Sequence, residues 1–408
     1  MISRTVLDRL AVVMIAAVLA MYSVASPTRG QEARPTPWSE FGVSVASVPG
    51  VLFVAANAGT DGKRGPGTVH LFRRRDAAWT HAGVLSAPEA IVEDDFGVSM
   101  AADGDILVVG AQFADAHGKD SGLAYVFERR GETWHQAAVL SAADAAPDDQ
   151  FGLTVSVSGD TVAVGARLSD SRAPDAGATY LFQRRGGSWQ QAAKLTASDA
   201  VRGDLFGRVS IDNDLMVVSA DLTDDRGNAA GKAYAFEKRG DAWTEAASFT
   251  ASDAGASHEF GISLVLKGGI AVFGASGADK GAGAAYVFEQ RGGQWVQAAR
   301  LRPGDESRLF GFAVTALADL VVVGAPADRK TIGAAYVFER RAGAWLQTAK
   351  LRASDEAPSR RFGSSVAASE NTIVVGALTN GGGTHPGAAY VFERSGDGWS
   401  EVARLVRQ

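Results

Sequence analysis

Four short landmarks follow one another in the same order seven times, and this repetition limits what the chain can fold into. A Phe-Gly pair begins at Phe41, Phe96, Phe151, Phe206, Phe260, Phe310 and Phe362, at spacings of 55, 55, 55, 54, 50 and 52 residues. Each pair is followed by an apolar run ending in Ala: Ala56, Ala111, Ala166, Ala220, Ala275, Ala325 and Ala377. A Tyr-x-Phe triplet comes next, at Tyr125, Tyr180, Tyr234, Tyr286, Tyr336 and Tyr390, with His70 in the first copy. One Trp closes each copy: Trp79, Trp134, Trp189, Trp243, Trp295, Trp345 and Trp399. A length of 408 residues would ordinarily suggest two or three domains. A repeat array grows by adding units instead, and periods near 50 with all-β patterning point to propeller blades.

The third copy shows four strands. FGLTVSV places Phe151, Leu153 and Val155 on one face by the two-residue period and small residues on the other, which suits an inner strand A wedged between blades. TVAVGA is apolar on both faces, as a buried strand B should be. ATYLFQRR alternates and then turns charged (strand C), and SWQQAAKLTA is the more polar outer strand D. The A–B and C–D links are tight turns, and the B–C and D–A links are longer. A meander therefore puts the two long links at one end of the disc and the two tight turns at the other. The expected fold is an all-β, seven-bladed propeller over residues 39–408, each blade one contiguous repeat. Trp38 and its neighbours are expected to brace the junction between the first and last blades.

Ahead of the array, Arg4 and Arg9 precede the apolar run Leu10–Tyr22, and Ser23-Val24-Ala25 offers a small-x-small cleavage site. This predicts an export signal over residues 1–25, because the run is shorter than the roughly 20 residues of a membrane span. Residues 26–38 read as a lead-in linker. Cleavage changes the net charge from −6 to −7, and no later run is long and apolar enough to span a membrane. The chain has no Cys, which excludes disulfides, thiolate catalysis and Cys-based zinc sites. A near-neutral charge gives no general drive toward nucleic acid or anionic lipid.

The repeats read FGxSVAxxGDxxVVGA and then GAAYVFERRGGxWxQAAKLTASD. This resembles the FG-GAP repeats of integrin α-subunit propellers, and more closely the bacterial secreted proteins built from that repeat, from Glu40 to Gln408. The resemblance implies a binding or adhesion scaffold. The integrin pattern also carries DxDxDG calcium loops between strands A and B. Here those links are two-residue turns from Pro49-Gly50 to Glu370-Asn371, too short for a cation that needs six or more oxygens. Asp212-Asn213-Asp214 is the nearest approach and reads as a turn. No catalytic, cofactor or metal residue is assigned.

Three charged or aromatic groups remain as candidates. Acidic residues gather on the B–C links (Asp115, Asp120, Asp170, Asp175, Asp221, Asp224, Asp225, Asp279, Asp328) and the D–A links (Asp144, Asp199, Asp253, Asp305, Asp355). Turn chemistry explains most such residues; Asp221, Asp224 and Asp225 form the densest group and the first choice for a cation. Basic residues gather on the C–D turns, among them Arg73 to Arg75, Arg129, Arg184, Lys238, Arg340 and Arg341, either as a solvated rim or as a polyanion-binding face. The seven Trp read as packing rather than sugar stacking. No two of His70, His81, His117, His135, His258 and His385 stand at metal-ligand spacing, and no nucleophile elbow or phosphate loop occurs. The expectation is a monomeric, extracytoplasmic, non-enzymatic binding module whose protein or carbohydrate ligand engages the long-loop face. A structural protein without small ligand and a polysaccharide-acting enzyme are the alternatives.

Overall fold

In a computed structural model, residues 38–59, 65–88, 93–326, 332–355, 360–379 and 387–407 are described. The expected export signal, most of the linker, Asp328 and His385 lie outside them. Seven four-stranded antiparallel sheets follow one another, each with strands in chain order A-B-C-D. In blade 3 these are Phe151–Ser158, Thr161–Ala166, Ala178–Arg185 and Ser188–Leu195. Blade 4 runs Arg208–Asp212, Leu215–Ala220, Lys232–Arg239 and Ala242–Phe249. The seven-bladed propeller expected from the repeats is the fold. Among the described residues no helix is long and apolar enough to cross a membrane.

The landmarks exist because blades pack on blades. Phe151 is fully buried and meets Tyr180 and Phe182 of its own blade edge-on, at 5.7 and 6.0 Å between ring centres. It also packs against Val108, Ala124 and Val126 of blade 2. The same two-blade cluster recurs at each of the seven interfaces, including blade 7 on blade 1, where Phe41, Val54 and Phe72 meet Val374, Ala389 and Val391. Full burial of one such side chain contributes roughly 1.5–3 kcal/mol.

The glycines answer to a different constraint. A Cβ on Gly165 of strand B would lie 1.8 Å from the carbonyl oxygen of Gly207, in the next blade's Phe-Gly pair. Gly177 has φ +87° and would clash with the Phe206 carbonyl in the same way. A hydroxyl completes the contact: Thr154 Oγ1 donates to Gly207 O at 2.6 Å, Ser99 Oγ to Gly152 O at 2.8 Å and Ser365 Oγ to Gly42 O at 2.9 Å. The Gly311 carbonyl likewise accepts from Ser263 at 2.7 Å.

One sequence expectation changes. Alternation in strand A of blade 3 is interrupted, because Phe151 pairs with Ala166 and the next pair is Thr154 with Gly165. The intervening Gly152-Leu153 bulges, leaving Leu153 only half-buried and resetting the inward face to Val155 and Val157. Trp38–Ser39 pairs antiparallel with Ala58–Gly59, extending blade 1. The junction with blade 7 also carries the ordinary interface contacts, the attraction of Glu40 for Arg361, and Arg74, whose guanidinium binds Glu393 at 2.6 Å.

Candidate functional site at the axial end of the inner strands

Both long links lie at one end, as the meander requires: Gly122, Gly177, Gly283 and Gly333 at the close of B–C links bridge to the Phe of the following blade. The acidic residues on that end are mostly engaged in holding it together. Asp115, Asp170 and Asp224 each accept the backbone N–H five residues on, at 2.8 Å. The D–A aspartates form latches to the following blade. Asp199 accepts Tyr234 Oη at 2.7 Å, Asp253 accepts Tyr286 Oη at 2.8 Å, Asp305 accepts Tyr336 Oη at 2.6 Å and Asp355 accepts Tyr390 Oη at 2.7 Å. A cation finishes each latch, for instance Arg300 on Asp253 at 3.0 Å and Arg404 on Asp355 at 3.1 Å. Partial burial works against the Asp305 carboxylate, but the bonds from Lys350 and Tyr336 outweigh it and hold its pKa below the usual range.

The opposite end is likewise self-satisfied. A Glu on strand C receives an Arg from the next blade: Arg184 on Glu128 at 3.0 Å, Arg340 on Glu289 and Arg394 on Glu339 at 2.6 Å. Those arginines lie over Trp189, Trp345 and Trp399, with 5.8, 5.9 and 4.8 Å to the ring centres. The Trp positions are therefore part of a circumferential ladder, and the basic rim is substantially paired.

What remains is the place where the repeat is broken. Blade 4 has one residue fewer between Phe206 and its A–B turn, so Arg208 pairs with Ser219 where blade 3 pairs Thr154 with Gly165. An arginine thus stands where five of the other blades carry Ser or Thr and blade 6 carries Ala313. Ser219 replaces the glycine and itself donates to Gly261 O at 2.7 Å. Arg208 turns toward Asp221, the residue after the Ala landmark of blade 4, with 3.5 Å between Nε and Oδ1. Arg167, at the equivalent position of blade 3, reaches Asp221 Oδ2 with Nη2 at 3.2 Å. Glu259, just before the Phe of blade 5, lies in the same electrostatic group and accepts from Ser276 Oγ at 3.4 Å.

Asp221 is 0% exposed, the Arg167 side chain 8% and the Arg208 side chain 18%. Burial pushes the Arg167 pKa down to about 10 against the pull of Asp221. Burial raises the Glu259 pKa, and the Asp221 charge raises it further. These guanidinium contacts leave donor capacity unused: Arg167 Nε is buried without an acceptor among the described residues, and Arg208 Nε reaches Asp221 only as a 3.5 Å ion pair, without a hydrogen bond. All four residues sit at the long-loop end of strands A and B, at the mouth of the propeller axis. Blades 1 and 2 carry a simpler neighbour there, where Asn57 and Gln112 both donate to Asp95, the second at 2.9 Å.

The group Asp221, Asp224 and Asp225 does not come together. Asp221 belongs to the arginine cluster, Asp224 caps Ala229 N–H and Asp225 binds Lys232 at 2.8 Å. Among the described residues no three His, Asp or Glu converge as a metal site. The residues missed from sequence are Arg167, Arg208 and Glu259. Their signal was present in the departure from a 55-residue spacing and in VSA where the other copies have VAA, FGA or VGA.

The FG-GAP repeat family model matches residues 79–127, 134–182, 189–236, 243–288, 295–338 and 345–392. The chain belongs to the FG-GAP repeat family. Each FG-GAP match starts on a strand D Trp and ends on the strand C Phe of the next blade, so the family unit is out of phase with the blade. A seventh unit would start at Trp399 and finish at Phe72, across the chain ends. Similar solved structures include Sqt1 from Chaetomium thermophilum, 13% identical with a TM-score of 0.51 over 90% of this chain and 86% of that one. A second Chaetomium thermophilum Sqt1 structure is 11% identical with the same TM-score, covering 90% and 88%. Saccharomyces cerevisiae Sqt1 is 13% identical with a TM-score of 0.48, covering 90% and 85%. At these identities the likeness is one of fold. No curated protein matches the chain in sequence.

Proposed function

We propose that this FG-GAP propeller is an exported binding module that engages its partner at the axial mouth of the long-loop face and performs no turnover. One observation carries the reading. Charged side chains elsewhere on the disc are largely consumed by latches that repeat from blade to blade, whereas Arg167, Arg208, Asp221 and Glu259 occur once and break the repeat where they occur. A repeat needs such residues for no packing purpose that its sibling blades lack, and polar groups converging on a rigid scaffold are where binding resides. Export is supported by the basic start, short apolar run and small-x-small site of residues 1–25. Sugar stacking has less to support it, because the tyrosines of strand C are fully buried and the Trp ring lies at the other end of the blades.

The test uses residues 26–408 on a glycan array, with and without calcium, and on a peptide array. Binding that is blocked by a charge reversal at the mouth, such as Arg208→Glu, in a protein that still melts cooperatively supports the reading. Binding confined to the Arg-Trp ladder, calcium-dependent binding through the loop aspartates, or hydrolysis of an arrayed oligosaccharide would each overturn it. Fractionation of the producing cells tests export, which a cytoplasmic full-length product would refute.

A further inference from the structure

We propose that the axial mouth between blades 3 and 5 takes a single carboxylate from a peptide segment whose neighbouring residues are neutral or basic. This rests on the reading of the mouth as the binding face and names the chemistry it selects.

The donors point to an anion. Two guanidiniums share one fully buried carboxylate, Asp221, at 3.2 and 3.5 Å. Each guanidinium carries five N–H groups in a planar fork, so one carboxylate at these distances satisfies only a minority of them. Arg167 Nε is buried without an acceptor among the described residues, and Arg208 Nε has only the 3.5 Å ion pair with Asp221, too long for a hydrogen bond. On the neighbouring links, Thr223 Oγ1 of blade 4 and Nδ1 of His258, the residue before Glu259, are also buried without a partner among the described residues. Arg208 keeps 18% of its side chain open, which gives an incoming oxygen a way in. Burial and the Asp221 charge raise the Glu259 pKa, so the cluster holds its second carboxylate less favourably than its first. A carboxylate bound bidentately is the group that best complements a planar guanidinium pair.

The surroundings decide what carries that carboxylate. Exposed Asp148, Asp170, Asp224 and Asp225 stand on the nearby loops of blades 2 to 4, with half-buried Asp175 between them. Asp199, Asp224 and Asp225 are felt as far in as Asp204, whose pKa burial and these charges push up to about 6. A polyanionic polysaccharide meets this acidic rim before it reaches the arginines and is repelled. A peptide with one carboxylate between basic or neutral residues gains at both places. The strand C tyrosines are buried and offer no platform for a sugar ring.

The repeat supplies its own control variant. Arg208→Thr with Ser219→Gly restores the residues that blade 3 carries at the paired positions, so the variant keeps a sequence already compatible with the fold. Residues 26–408 and this variant are titrated with a library of seven-residue peptides holding Glu at the centre and Lys, Gly, Ser or Tyr elsewhere. The same library with central Gln, polyglutamate and heparin are titrated in parallel, with the folded state checked by thermal melting. The expected result is binding of the Glu library at least 10-fold tighter than the Gln library, loss of that preference in the variant, and weaker binding of both polyanions. Equal binding of Glu and Gln libraries, an unchanged preference in a folded variant, or tighter binding of heparin overturns the carboxylate assignment while leaving the mouth as a binding face. Absence of binding to all probes and to the arrays overturns both. A variant that only melts differently, with no binding in either protein, assigns the cluster to stability.

Discussion

The latch at the junction of blades 7 and 1 carries a histidine, and that latch should make stability depend on pH. His70 holds the position of the latch tyrosine in blade 1, is 3% exposed, and packs edge-on against Phe41 at 5.3 Å. Its ring nitrogens face Thr68 Oγ1 and His81 Nε2, both at 3.4 Å. Burial, then His81 and Arg407, lowers its pKa from 6.5 to about 4. The native state therefore holds His70 neutral, whereas the unfolded chain takes up a proton near 6.5. Stability from this site is complete above about pH 7 and is lost as the pH falls from 6.5 toward 4. At 1.36 kcal/mol per pKa unit the whole loss is about 3 kcal/mol, of which about 2.5 kcal/mol has gone by pH 4.5. His70→Tyr installs the residue of the other six blades and removes the titration. Calorimetric melting of both proteins between pH 8 and 4.5 reads the difference, which cancels the carboxylates they share. At roughly 2 °C per kcal/mol for a chain of this size, wild type should fall behind the variant by about 5 °C across that range. Parallel curves, separated by a constant amount, would refute the reasoning.

Asp204 makes the opposite case. Its raised pKa of about 6 means that the folded state opposes ionisation, so Asp204→Asn should stabilise the protein by about 3 kcal/mol at pH 7.5, with the gain fading as the pH drops below 6; denaturant titration at several pH values checks this. Asp305→Ala leaves the fully buried Tyr336 hydroxyl without its acceptor and should cost about 1–3 kcal/mol, again read by denaturant titration. Gly177 and Gly186 both have positive φ, but only Gly177 faces a carbonyl oxygen. Gly186→Ala should cost about 1–2 kcal/mol, and Gly177→Ala enough to abolish a cooperative melt.

Much of the fold was legible because the same contacts are written seven times. Phe-Gly, the Ala-terminated run and Tyr-x-Phe each occupy one side of a blade interface, so their spacing in the chain is the spacing of interfaces in the ring. The bulge at Gly152-Leu153 was not legible, since a two-residue period carries no mark of where it restarts. Nor were the latches: Asp199 and Tyr234, or Arg394 and Glu339, are partners across blades, and composition alone made the first an acidic surface and the second a basic one. Their neutralisation is a property of pairing geometry, which a list of charges does not contain.

Repetition also supplies the means of separating structure from function in this protein. A side chain that recurs at one position in most blades has a job each blade needs, as the Tyr–Asp latch and the Trp–Arg ladder do. Once those are set aside, the departures stand out. At the junction of blades 7 and 1, His70 stands where the other six blades carry the latch tyrosine and faces His81 instead. At blades 3 to 5 the chain is continuous, the neighbouring blades manage with Ser or Thr and Gly, and a shortened strand with two buried arginines is costly to hold in place. An arrangement that the fold neither requires nor rewards is what selection for a ligand leaves behind, and Arg208→Thr with Ser219→Gly distinguishes that origin from a repeat that has merely drifted. Drift predicts a variant at least as stable as wild type with unchanged binding, whereas a ligand site predicts a stable variant that no longer distinguishes Glu from Gln.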